Sequence, residues 1–118
     1  MGTFTSEEQG RFFDSLQHTH IELCLPVQDV FTIPGRGVAA CGSVILGYVK
    51  VNDVVEVLSQ DGTRYKTRVL GLEKNRKLID IAVRNDQIGI LVKPEQGEKI
   101  ERGDILLKLV DLTVPSMS

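Results

Sequence analysis

Tryptophan is absent from this 118-residue sequence, and aromatic residues make up only 5% of it. A core without large rings must be built from Val, Ile and Leu, which favours strands. No apolar run approaches the ~18 residues of a membrane span. The opening residues, Met-Gly-Thr-Phe-Thr-Ser-Glu-Glu, carry no charged and apolar leader of the secretory kind. A cytoplasmic protein without a membrane partner is the expectation. Cysteine is scarce: Cys24 and Cys41 only. Both lie in apolar, strand-like runs and read as small buried thiols of a reduced compartment, not as a disulfide. His18 and His20 precede Cys24 without the spacing of a zinc site, so no metal is expected.

The motifs of catalysis are missing too. A phosphate-cradling loop needs Gly, four residues, then Gly-Lys-Ser/Thr, and that pattern does not occur. Gly35-Arg36-Gly37 is too short and leads into a strand, so no helix N-terminus waits for a phosphate. Ser, His and Asp are not arranged as a nucleophile and its base. Glu73, Asp80 and Asp86 could gather, but nothing in their pattern raises a pKa for acid–base work. The expectation is a binding protein, not an enzyme, with no cofactor.

What is present is a strand-rich, evenly charged chain. The apolar fraction is 42%, the charged fraction 25% and the net charge −2. One domain of this size can hold a core without staples. Charge is uneven: residues 1–30 carry five acids against Arg11, whereas residues 64–108 carry eleven bases against seven acids. The later half fits either a face for a polyanion or a mixed solvated surface. Ser6-Glu7-Glu8-Gln9 reads as a capping box, and Phe12, Phe13 and Leu16 share one helical stripe. A short amphipathic helix over residues 6–18 follows, its stripe either a lid or a docking face. From Ile21 onward alternation has period two, broken by Gly and Asx turns at residues 34–37, 52–53, 60–62 and 103–104. Short strands at that spacing predict a closed antiparallel barrel, which also removes exposed edges. The expected organisation is an N-terminal extension over 1–20, a barrel over 21–112 and a frayed tail over 113–118.

The run from Leu25 to Gly42, Leu-Pro-Val-Gln-Asp-Val-Phe-Thr-Ile-Pro-Gly-Arg-Gly-Val-Ala-Ala-Cys-Gly, resembles the start of the second domain of elongation factor Tu. Further landmarks follow in the family's order: Gly47, Val49-Lys50-Val51 with Asp53, Gly71 with Glu73, Arg76-Lys77-Leu78, Ile88-Gly89 and Ile100-Glu101-Arg102-Gly103. The resemblance covers residues 25–108. It implies an all-β fold with a six-stranded closed antiparallel barrel of the translation-protein type, preceded here by the short helix. It also implies that the GTPase domain usually found before this barrel is missing. In the family the barrel helps bind the 3′ end of aminoacyl-tRNA and contacts the ribosome.

The resemblance implies site residues as well. Glu73 matches the glutamate that meets the terminal adenosine. Gly35 and Leu91 match the wall of the adenine pocket, and Arg76 the arginine three residues beyond that glutamate. Phe31 and Asp29 match the amino-acid pocket, where Gln87 stands in place of an asparagine. Departures fall mostly on that side: Gln28 replaces a glutamate, Cys41 a threonine and Ala39 a valine. Each match also has a plain structural reading: Gly35 as a turn, Phe31 and Leu91 as core, Glu73 with Arg76 as an exposed ion pair. Two functions therefore stand: a non-catalytic module that touches a tRNA 3′ end or the ribosome (rRNA or protein), or a protein-docking barrel, homodimeric or paired with a separate GTPase. Small-molecule binding in the adenosine pocket is a third.

Overall fold

The computed structural model describes residues 5–16 and 19–111. Its elements run α1 (Glu7–Asp14), β1 (Thr19–Pro26), β2 (Asp29–Ile33), β3 (Gly37–Ser43), β4 (Leu46–Lys50), β5 (Val54–Leu58), β6 (Arg64–Arg68), β7 (Gly71–Lys74), β8 (Lys77–Ile79), β9 (Ile81–Val83), β10 (Gln87–Val92) and β11 (Ile105–Asp111). His18 and the 113–118 tail lie outside the described residues.

The strands form two antiparallel sheets, ordered β6-β5-β11-β1-β4-β9 and β2-β3-β10-β7-β8. The resemblance implies six strands closed into one barrel; among the described residues eleven short strands in two sheets are found. The long apolar stretches are cut where the chain passes from one sheet to the other. Between β6 and β7 the break is Val69-Leu70, and between β8 and β9 it is Asp80 alone. Period-two alternation sends one face of each sheet inward. Ile88, Ile90 and Val92 of β10 and Leu72 of β7 meet Leu23, Leu25, Val49, Val55, Val57 and Leu106 from the other sheet in one buried cluster. Burial of each such side chain contributes ~1.5–3 kcal/mol relative to exposure.

Gly47 shows why one turn residue is fixed. It sits at φ +78°, opposite Leu23 of β1, and a Cβ there would lie 1.8 Å from the Glu22 carbonyl oxygen. Only glycine lets β4 approach β1 so closely.

The helix is shorter than the stripe suggests. The Ser6 hydroxyl oxygen accepts from the Gln9 amide at 3.1 Å, as a cap should. The return half of the capping box is not made. Gln9 instead turns inward and is 0% exposed. Its amide nitrogen donates to the carbonyls of Leu58 (3.3 Å) and Gly103 (2.9 Å), and its oxygen accepts from the Thr5 amide (2.9 Å) and hydroxyl (2.8 Å). Phe12 and Phe13, packed edge to face, cover Cys24, Leu58, Ile105 and Leu107 on the outer face of the first sheet. The Phe pair is thus a lid, and this leaves less of the stripe for a partner.

Candidate functional site

Among the described residues, no such cover lies over the outer face of the second sheet. Because side chains alternate, every residue one step out of register with Ile88, Ile90 and Leu72 points away from the core. The ladder places them in rows. Asp29 pairs with Cys41, Cys41 with Gly89, Gly89 with Glu73, and Glu73 with Leu78. The next row is Phe31, Ala39, Leu91 and Gly71. Big side chains on β2 and β8 thus flank small ones in the middle. The result is a groove of about 640 Å³, lined among others by Phe31, Cys41, Gly71, Glu73, Gly89 and Leu91, with Arg36 at one end.

Gly71 and Gly89 flatten the floor for lack of a side chain, not for their backbone. A Cβ on Gly89 would meet only the Cys41 sulfur at 3.6 Å, and one on Gly71 only Leu91 at 3.8 Å. Phe31 is 53% exposed and Leu78 84% exposed, so each offers an apolar face to solvent. A groove with an exposed aromatic on one side and glycines in its floor suits a flat ring. Glu73 and Asp80 bring carboxylate acceptors to the groove. The Cys41 thiol is pushed up by burial and further by the Asp29 and Glu73 charges, so it stays protonated.

The sequence-derived residues divide. Phe31, Glu73 and Leu91 line the groove together. Asp29 sits on the same face, its carboxylate accepting from the Val30 amide at 3.0 Å. Gln87 is the next step along β10, where its side chain meets Ser43 and donates to Gln28 at 3.0 Å. Gly35 and Arg76 do not line the groove. Gly35 occupies the β2–β3 turn at φ +75° with open space around it. Arg76 occupies the β7–β8 turn at φ +65°. Glu73 and Arg76 form no ion pair among the described residues, which removes that plain reading. Of the three carboxylates considered as a cluster, Glu73 and Asp80 share the groove while Asp86 stands apart, held by Lys74 Nζ at 2.7 Å, a bond that lowers its pKa. The resemblance places Ala39 and Cys41 at the pocket, and both line the groove, whereas Gly71, Leu78 and Asp80 were not foreseen there. Strand register puts these residues on one face, Gly71 opposite Leu91 and Leu78 opposite Glu73. Among the described residues no three metal-ligating side chains gather, and no helix is long and apolar enough to cross a membrane.

Comparison with known proteins gives one concordant result. Residues 37–107, from β3 to the middle of β11, match the family model for elongation factor Tu domain 2. Among solved structures, apo translation elongation factor SelB from Methanococcus maripaludis is similar, with a TM-score of 0.63 and 26% sequence identity. That match covers 75% of this chain and 19% of the other, so this chain spans about a fifth of that factor's length.

Proposed function

The chain belongs to the elongation factor Tu domain 2 family, and from that membership we propose that it is a non-catalytic binding part that takes a tRNA 3′ end in the outer groove. The observation that carries the reading is the groove itself, lined by exposed Phe31 on β2, by Gly89 and Gly71 on β10 and β7, and by the Glu73 carboxylate. An unpaired terminal base is free to stack, and stacking on an aromatic is worth ~1–3 kcal/mol per base. Glu73 accepts hydrogen bonds from amino or hydroxyl donors of a nucleoside. Asp29 and Gln87, farther along the same face, would meet whatever the 3′ end carries, while Gly35 holds the turn beside Arg36. On this reading the two sheets act as one closed barrel over residues 21–112, flanked by 1–20 and 113–118. In support, the Val27 amide donates to Asp104 and the next amide, Gln28, to Cys41, so pairing runs from one sheet into the other. The place of action is the cytoplasm, with a separate GTPase supplying the rest of the tRNA cleft. One small patch must offset the whole entropy of association, so affinity for RNA alone is weak.

Fluorescence anisotropy with a 5′-labelled RNA hairpin ending in single-stranded CCA tests this. Phe31→Ala and Glu73→Ala should each weaken binding about tenfold, or ~1.4 kcal/mol. Equal binding by both variants and the parent would remove the groove as the site.

A second reading, a docking barrel that pairs with its own copy, has one observation in its favour. Tyr48 pairs with Val83 and Lys50 with Ile81 across β4 and β9, which puts exposed Tyr48, Ile81 and Val83 on one outer face. Sedimentation of the parent and Tyr48→Lys decides it: a dimer that the variant abolishes supports docking, and a monomer at high concentration opposes it.

A further inference from the structure

The first sheet ends in two strands that have a neighbour on one side only, β6 and β9. They differ in kind. β9 carries exposed Ile81 and Val83, whereas β6 reads Arg64-Tyr65-Lys66-Thr67-Arg68. Tyr65 and Thr67 lie opposite Val57 and Val55 of β5 and turn toward the core. Arg64, Lys66 and Arg68 therefore stand exposed on the outer face.

The hydrogen-bond phase of the β5–β6 ladder adds an independent fact. At its two ends the Ser59 amide donates to the Thr63 carbonyl (2.9 Å) and the Val69 amide to the Asp53 carbonyl (2.8 Å). Bonded positions of an antiparallel pair recur at every second residue. Tyr65 and Thr67 thus bond to β5, and the N–H and C=O groups of Arg64, Lys66 and Arg68 face the other way. Among the described residues no hydrogen bond reaches those backbone groups. Tyr65 steadies the strand from its core side, where the hydroxyl donates to the Lys99 carbonyl at 2.8 Å. Two of the cations are held on the outer face. Arg64 lies 3.4 Å from Glu56 and over the Phe12 ring at 4.7 Å, and Arg68 donates to the Asn52 carbonyl at 2.8 Å.

We propose that the free edge of β6 is a docking edge, which takes an extended acidic segment of a protein partner as an added strand. The proposal does not depend on the groove, which lies on the other sheet. Backbone and side chains select the occupant together. The edge offers donors and acceptors that repeat about every 7 Å, and an extended peptide matches that repeat. A nucleic-acid strand brings phosphate acceptors without the alternating donors. Acidic side chains at every second position of the added strand would stand beside Arg64, Lys66 and Arg68, where opposite charges attract. A second copy fits poorly. Two-fold pairing of β6 with itself about Lys66 sets Lys66 against Lys66 and Arg64 against Arg68, and like charges directly opposite destabilise. Residues 1–4, 17–18 and 112–118 contain no Asp or Glu, so the acidic strand comes from another molecule. Charges on an edge also repel stray strands. That protective role by itself predicts no binding of an acidic one.

The test is an amide NMR titration of the full chain with a short synthetic peptide in which Glu and Thr alternate. Shifts should gather on β6, and exchange of the Lys66 and Arg68 amides should slow. The same peptide N-methylated throughout keeps its charge and loses its donors, so the parent chain should bind it about tenfold more weakly. Lys66→Gln with Arg68→Gln should weaken the unmethylated peptide about tenfold and flatten the salt dependence of its binding. Equal affinity for both peptides would mean that charge alone attracts them and would overturn the added strand. No shift on β6 at millimolar peptide leaves only the protective role. An oligouridylate that binds β6 more tightly than the peptide gives the edge to nucleic acid, and slowed Lys66 exchange on concentrating the chain alone gives it to a second copy; either result overturns the proposal.

Discussion

The outer faces of the two sheets began from the same rule and ended differently. On β11, Ile105, Leu106 and Leu107 are all buried, because one face meets the shared core and the other lies under α1. On β10, Ile88, Ile90 and Val92 are buried, while Gly89 and Leu91 between them remain partly open. A strand covered on both sides reads as a continuous apolar run, and a strand covered on one side alternates. The contrast shows that this chain can cover an apolar outer face when it needs to. Among the described residues, Phe31 and Leu78 keep 53% and 84% of their surface exposed.

Paired substitutions can break this comparison. The largest effect is expected at the glycines. Gly47→Ala forces a Cβ against the Glu22 carbonyl at a positive φ and should cost on the order of 3 kcal/mol or prevent folding. Gly89→Ala should leave chemical unfolding within about 0.5 kcal/mol of the parent, because its Cβ meets only a sulfur at ordinary contact distance. Next come the large side chains. Leu107→Ala opens a cavity beneath the helix and should cost about 2–5 kcal/mol. Phe31→Ala should change stability by less than about 1 kcal/mol while it weakens RNA binding. Equal losses at the two positions would mean that the groove is packed as tightly as the lid.

Gln9→Ala probes the cover itself. It leaves the Leu58 and Gly103 carbonyls without their side-chain donor, a loss of about 1–3 kcal/mol. Cys24 reports the result. Burial pushes its thiol up to about 11, so alkylation at pH 8 should be slow in the parent and faster when the helix lifts. Unchanged alkylation would show that the Phe pair holds α1 alone. The smallest effect concerns the Lys74–Asp86 pair. The Lys74 hydrogen bond, with help from the Val83 amide, holds the Asp86 pKa below the ordinary 3.8. The stabilisation is therefore full above that value and is lost as pH falls through the lowered one. Thermal melts between pH 5 and pH 3, expected to shift by a degree or two at most, should lose this component in Lys74→Met. An identical acid profile in the variant would mean the bond contributes nothing to stability.

Much of the site was legible because it depends on local pattern. Alternation marks residues 87–92 as a strand and the Ser6 cap marks where the helix starts, whereas the plain reading of Phe31 as core fails, since it is 53% exposed. The resemblance to the translation-factor domain supplied Glu73 and Leu91. What escaped was non-local. No sequence period tells that Gly89 lies between Cys41 and Glu73, or Gly71 opposite Leu91, since strand register decides that. Gln9 looked like the polar partner of a cap and became the buried anchor of the helix, because two carbonyls far along the chain needed a donor. Gly35 and Arg76 were expected at the pocket, yet their turns carry them past its ends.

The most direct measurement is an amide NMR titration of the full chain with the CCA-ended hairpin, run on the parent and on Gly89→Ala. The account expects shifts gathered on Phe31, Cys41, Gly71, Glu73, Gly89 and Leu91, few on β5 and β11, and about tenfold weaker binding in the folded variant. Shifts centred on α1 and β11, or shifts of full strength in Gly89→Ala, would contradict it.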